Sequence, residues 1–163
     1  MPKSDLKTPT DLSSNAVSNV AQALNGVLAD LYTLYFKTKN FHWHVSGPHF
    51  RDYHLLFDDQ ATEILATTDL VAERVRKTGN TTLRSIGDIS RHQSLTDNDA
   101  EFVSPKDMLA ELRDDNLKLI EALRATKAIA GEAGDNATDG IIDDWTDQAE
   151  QRAWFLFEAA RGA

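Results

Sequence analysis

From Asn15 onward, apolar residues return every three or four positions: Val17, Val20, Ala21, Leu24, Val27, Leu28, Leu31, Leu34 and Tyr35. That period lays one continuous stripe along a helix and predicts a first helix over residues 15–45. Ser46-Gly47-Pro48 closes it, because glycine suits the turn after a helix and proline suits the first position of the next. A second helix is predicted over residues 48–78, which proline and glycine do not interrupt, and it ends at Gly79. Residues 79–103 lose the period and are rich in Gly, Asn, Asp and Ser, with a short helix expected over residues 83–91. Ser104-Pro105 followed by Asp107 reads as a capped helix start. The third helix carries Met108, Leu109, Leu112, Leu119, Ile120 and Leu123 and breaks between Gly131 and Gly134. The fourth opens near Thr138 and carries Ile141, Ile142, Trp145, Ala149, Ala153, Leu156 and Phe157. Residues 1–14, polar and with Lys3 and Lys7 balanced by Asp5 and Asp11, are expected to be a flexible tail ahead of one bundle domain, residues 15–163.

The connections constrain how these helices pack. A short turn makes its two helices an antiparallel hairpin, so the first pairs with the second and the third with the fourth. The long middle connection lets the third helix start far from the end of the second. The expected fold is all-α: a four-helix bundle with one long crossover containing a short helix.

Composition narrows the chemistry. A chain of 163 residues is expected to form a single domain with a sizeable core. It has no cysteine, which excludes disulfides and thiolate metal sites and makes a reducing cytoplasm the default compartment. The first residues contain no apolar run, so neither a secretory signal nor a membrane anchor is expected. No stretch reaches the roughly 18 apolar residues that a bilayer-spanning helix needs. A formal charge of −9 disfavours a generic nucleic-acid binder and suits a protein that handles cations.

The candidate chemistry concentrates between His42 and Glu73, where four of the five histidines lie. With 100° per residue and His54 as origin, Asp58 falls at about 40°, Asp69 at about 60° and Glu73 at about 100° on the second helix. All four share one side. His42, at the end of the first helix, continues the row Leu28, Leu31, Tyr35 and Thr38 toward the same region. Imidazole and carboxylate donors together suit iron or zinc, and an oxygen-rich, open set favours iron. Any one such pair is ordinarily a solvated ion pair. Here apolar Ala61, Leu65 and Ala66 lie between the pairs, so the stripe is not expected to be fully wet. His54 and Glu73 are 19 residues apart, roughly 28 Å along a helix axis. One chain cannot bring both to one metal. Two copies of the second helix, antiparallel about a two-fold axis near residues 62–66, would set His54 of one against Asp69 and Glu73 of the other. Small Ala61 and Ala66 would allow the close approach.

The order His42-Trp43, Gly47, Phe50, His54, Asp58, Asp69, Ala72-Glu73-Arg74 resembles the Dps family (DNA-binding proteins from starved cells), and the likeness extends to Trp154-Phe155. The resemblance implies a ferritin-like bundle assembled into a hollow dodecameric shell. It implies a ferroxidase that oxidises Fe(II), favouring hydrogen peroxide, at sites between subunits and stores ferric mineral, protecting the cell and its DNA from oxidative damage. By the same resemblance His42, His54 and Asp58 are the metal ligands of one subunit and Asp69 and Glu73 those of its two-fold partner. Zinc and manganese remain open at the same ligands. Trp43 corresponds to the aromatic beside the centre, with plain packing the alternative. His44 and His49 correspond to no ligand and are expected at the surface or beside the ligands, and His92, alone in the crossover, is expected likewise. The larger ferritins build their centre inside each bundle from Glu-x-x-His motifs, and this chain contains none.

Helix four opens with Asp135, Asp139, Asp143, Asp144 and Asp147, of which Asp139, Asp143 and Asp147 form one row. In the family, acids near this point line three-fold pores that draw cations inward. Acids that merely complement a helix N-terminus are the alternative. A nucleoid structural protein that coats DNA is the rival function, and with it nucleoid association, but the first 15 residues are net neutral and offer no basic arm. Weak or no DNA binding is therefore expected at neutral pH and moderate salt. A clear electrophoretic mobility shift under those conditions would overturn that expectation.

Overall fold

The computed structural model describes residues 6–162, so the first five positions of the expected tail, with Lys3 and Asp5, lie outside it, as does Ala163. Five helices follow in order: α1 (Ser14–His44), α2 (Phe50–Lys77), α3 (Ile86–His92), α4 (Pro105–Glu132) and α5 (Asn136–Ala159). The four long ones are those the periodicity predicts, and α3 is the short helix of the crossover. No strand occurs among the described residues.

Local chemistry sets the ends. Ser13 accepts a hydrogen bond from Ala16 N and Ser104 one from Asp107 N, each satisfying a free donor of the first helical turn. Pro105 opens α4 as expected. Three starts differ from the sequence reading by two residues or more, for identifiable reasons. α2 begins at Phe50 rather than Pro48, because Pro48 is spent in a turn that Gly47 makes at φ +105°. Ser85 caps α3 through Asp88 N and so delays its start to Ile86. The Asp135 side chain caps α5 through Thr138 N and advances its start to Asn136.

α1 packs along α2 and α4 along α5, and α1 also lies against α4, which joins the two hairpins into a bundle. Leu24, Leu34, Phe57, Ile64 and Leu112 are fully buried at the centre. Each such side chain stabilises the fold by about 1.5–3 kcal/mol relative to exposure. No helix among the described residues is long and apolar enough to cross a membrane.

The crossover lies on α1, which carries polar pegs for it. Asn25 donates to Thr81 O at 3.3 Å and accepts from the Thr82 hydroxyl at 2.7 Å. Asn40 donates to Asn98 O at 3.4 Å. Between them the Asp30 carboxylate, 3% exposed, accepts from Ser94 N at 2.6 Å, Ser94 Oγ at 2.6 Å and Leu95 N at 3.0 Å. Leu95 is thereby seated in the core at 2% exposure. Asp30→Asn cannot accept all three bonds, since one of its two terminal atoms becomes a donor. The variant is expected to lose about 1–3 kcal/mol of stability and to be cut faster by protease between residues 79 and 103. An unchanged melting curve and cleavage pattern would remove Asp30 as the anchor of the crossover.

Candidate metal centre

The turn at Gly47 folds the start of α2 back on the end of α1 and sets His54 against His42. Their rings stack with centroids 3.8 Å apart and planes 15° from parallel. Each imidazole also bonds to the other residue's backbone: His42 Nδ1 to His54 O at 2.7 Å, His54 Nδ1 to His42 O at 2.8 Å. A carbonyl can only accept, so both Nδ1 atoms carry the proton. In the neutral rings both Nε2 atoms are then left with a lone pair, the state in which histidine binds metal. Phe50, one turn before His54, stacks on its other face at 4.9 Å. His54 is thus held from both sides.

Asp58 lies one turn beyond His54, with Oδ1 3.8 Å from His42 Nε2. The same oxygen is 2.8 Å from Lys39 Nζ. The Lys39 hydrogen bond is the main influence holding the Asp58 carboxyl below its ordinary range; burial opposes it, and the charges of Lys39, His42 and His54 add to it. Asp58 is therefore an anion at neutral pH, and in the isolated chain its counterion is an ammonium. Lys39 escaped the sequence reading. Its signal was there, because a residue three positions before His42 shares that histidine's helix face.

Trp43 is 54% exposed, edge-on to Phe36 at 5.9 Å and 5.8 Å from Lys39 Nζ. It is not packed into the bundle core. His44, His49 and His92 are exposed, as expected, and the Nδ1 atoms of His44 and His92 bond within their own helices to Asn40 O and Asp88 O.

Asp69 and Glu73 are exposed and stand apart from this cluster. The distance along α2 from Asp58 to Asp69 is roughly 16 Å at 1.5 Å per residue. Among the described residues of a single chain, no group of three or more His, Asp or Glu side chains is arranged to hold a metal ion. The face that carries both sets also exposes Leu55, Leu65 and Leu70, at 44%, 42% and 45%. Ala66 lies on that exposed face, but Ala61 does not. Ala61 is fully buried in its own bundle, so it cannot serve the close approach of a second helix expected of it.

The acidic start of α5 divides by role. Asp135 is buried and accepts from Thr138 N and the Thr138 hydroxyl, with Arg74 Nη2 3.6 Å away, so it is a cap and not a solvent-facing acid. Asp139 and Asp143 converge on Lys127, which contacts Asp139 closely and Asp143 Oδ1 at 3.0 Å. Hydrogen bonds to Asp139 and then Asp143 raise the Lys127 ammonium above its ordinary range. Asp144 and Asp147 face solvent.

The sequence model of the Ferritin-like domain matches residues 21–161. A DNA protection during starvation protein from Agrobacterium fabrum is 33% identical over 150 residues, covering 92% of this chain and 93% of the relative. The crystal structure of a Dps protein from Bacillus brevis superposes with a TM-score of 0.86 at 28% identity, covering 90% of this chain and 98% of that one. An archaeal Dps homologue from Halobacterium salinarum gives 0.91 at 26% identity, covering 99% and 91%.

Proposed function

Starting from the fact that the chain belongs to the Dps family of ferritin-like proteins, we propose that it oxidises Fe(II) at centres shared by two subunits and keeps the ferric product inside a dodecameric shell. The observation that carries this reading is the His42–His54 lock. It leaves two Nε2 lone pairs beside an ionised Asp58, a nitrogen and oxygen donor set suited to Fe(II) as substrate. Asp69 and Glu73 of a two-fold partner supply the remaining carboxylates, and the exposed Leu55, Leu65 and Leu70 along that helix form the contact. Lys39 must yield Asp58 as the metal arrives. Hydrogen peroxide is the proposed oxidant. It takes one electron from each of two Fe(II) ions and, with two protons, leaves as two waters. Trp43, whose ring lies 5.8 Å from Lys39 Nζ, is the proposed acceptor of a stray oxidising equivalent.

Complementation between defective chains tests the shared centre. His42→Ala/His54→Ala and Asp69→Asn/Glu73→Gln should each lower peroxide-dependent Fe(II) oxidation by roughly two orders of magnitude. Co-assembly of the two should restore a fraction of activity, because mixed two-fold pairs hold one intact centre. No restoration in demonstrably mixed shells, or an active isolated monomer, would end the reading.

We also propose Asp139, Asp143 and Asp147 as a cation path into the shell, with Lys127 pairing the first two. Asp143→Asn is expected to slow Fe(II) uptake while leaving assembly intact, as read by stopped-flow oxidation and by size. Unchanged uptake kinetics would remove Asp143 from the path.

A further inference from the structure

α1 carries an aromatic row that the bundle core does not absorb. With Tyr32 as origin and 100° per residue, Phe36 falls at about 40°, Lys39 at about 340° and Trp43 at about 20°, so the four share one stripe. Aromatic residues at helical spacing ordinarily fill a core. Here Phe36 and Trp43 are 63% and 54% exposed, and Tyr32 is half-buried. Phe36 and Trp43 are seven positions apart, roughly 10 Å along the axis. Their ring centroids are nevertheless 5.9 Å apart, edge to face. The indole therefore reaches back toward Phe36, the direction in which helical side chains lean. Tyr32 stands one turn before Phe36 and is its neighbour on the helix surface.

The two ends of the row lie in different surroundings. Trp43 follows His42 in the chain, and Lys39 Nζ lies 2.8 Å from Asp58 Oδ1 and 5.8 Å from the Trp43 ring. An ammonium that close disfavours a positive hole on the indole, so an oxidised Trp43 draws an electron from a neighbour more strongly. At the other end, Tyr32 and Phe36 line a cavity of about 820 Å³ between α1 and the crossover, closed on its far side by Ile86 and Ile89. The chain has two other tyrosines. Tyr35 also lines the cavity but falls about 80° from Trp43 around the helix. Tyr53 is buried, and its hydroxyl donates to Ala159 O at 3.3 Å.

We propose that Trp43, Phe36 and Tyr32 form a relay that carries a one-electron oxidising equivalent away from the two-fold centre, with Tyr32 as its exit. An oxidant of the hydroxyl-radical class takes one electron from the Trp43 indole and becomes hydroxide, and the indole N–H proton goes to water. One electron then passes from the Tyr32 phenol to Trp43. The phenol proton leaves to water and the indole nitrogen takes a proton back, so Trp43 is restored and Tyr32 is the radical. Phe36 is too hard to oxidise to hold the hole itself, and its ring bridges the gap. At the cavity a small reductant of the thiol or ascorbate class returns a hydrogen atom to the Tyr32 oxygen. Only the source of the oxidant rests on the proposed Fe(II) chemistry.

Pulse radiolysis of the assembled, iron-free protein tests the relay independently of that chemistry. Azide radicals oxidise indole in preference to phenol at neutral pH and are reduced to azide. Trp154→Phe removes the other exposed tryptophan from every variant, and Trp145 is buried. In this parent the tryptophanyl absorbance should decay as the tyrosyl absorbance rises, at one rate that does not depend on protein concentration. Tyr32→Phe keeps the ring and should abolish the rise while prolonging the tryptophanyl signal. Phe36→Leu should slow the transfer, and Trp43→Phe should abolish both signals. Tyr35→Phe and Tyr53→Phe should change neither. Equal decay in the parent and Tyr32→Phe, or an unchanged rate in Phe36→Leu, would overturn the proposal. So would transfer lost in Tyr35→Phe or Tyr53→Phe, a tyrosyl rise that survives Trp43→Phe, or no tryptophanyl signal in the parent.

Discussion

Asp58 and Asp69 stand three turns apart on one uninterrupted helix, and no side chain is long enough to close that distance. A straight α-helix gains 1.5 Å per residue whatever its sequence, so roughly 16 Å separates them along the axis. His54 with Asp58, and Asp69 with Glu73, could therefore share one site only across two copies of the chain. Most of what surrounds them is compatible with such a pairing. Leucines stay exposed on the face of α2 that carries Asp58 and Asp69, Trp43 stays outside the core, and the Gly47 turn brings His54 against His42.

A second regularity is the pairing of carboxylates with lysine. Lys39 holds Asp58, Lys127 holds Asp139 and Asp143, and Lys37 holds Asp115 and Glu111. A chain with a formal charge of −9 thus carries its own counterions beside these carboxylates. The three pairs differ in depth, and depth decides what each does. Lys127 and its aspartates are largely exposed, where an ion pair is weak, screened by salt and easily exchanged. Lys37 and Asp115 are nearly dehydrated, so breaking that pair leaves a buried charge without a partner. Lys39 and Asp58 lie between these limits, which leaves Asp58 ionised and partly exposed.

Much of the fold was legible in residue order. The period of the apolar ladder marked α1, the run without Gly or Pro marked α2, and Ser104-Pro105 marked the start of α4 to the residue. Caps proved harder to read, because Ser85 and Asp135 each compete with several polar neighbours for the same turn. The distinction between Ala61 and Ala66 was also illegible. Both are small and both lie near the ligand stripe, but Ala61 points far enough toward the other helices of its own bundle to be fully buried. Asp30 resembled any acid on a helix until the crossover folded over it and supplied three donors.

By itself, then, the sequence determined what depends on neighbours a few positions away: helix period, most helix limits, and the shared face of His54, Asp58, Asp69 and Glu73. The same helix arithmetic ruled out that His54 and Glu73 of one chain reach a common point. Only the tertiary structure decided which cation meets which carboxylate, and which imidazole nitrogen is free. Those outcomes rest on contacts between residues far apart in the chain, such as Lys37 with Asp115 and Arg152 with Glu63. The angle at which one helix crosses another sets such contacts, and no local pattern encodes it.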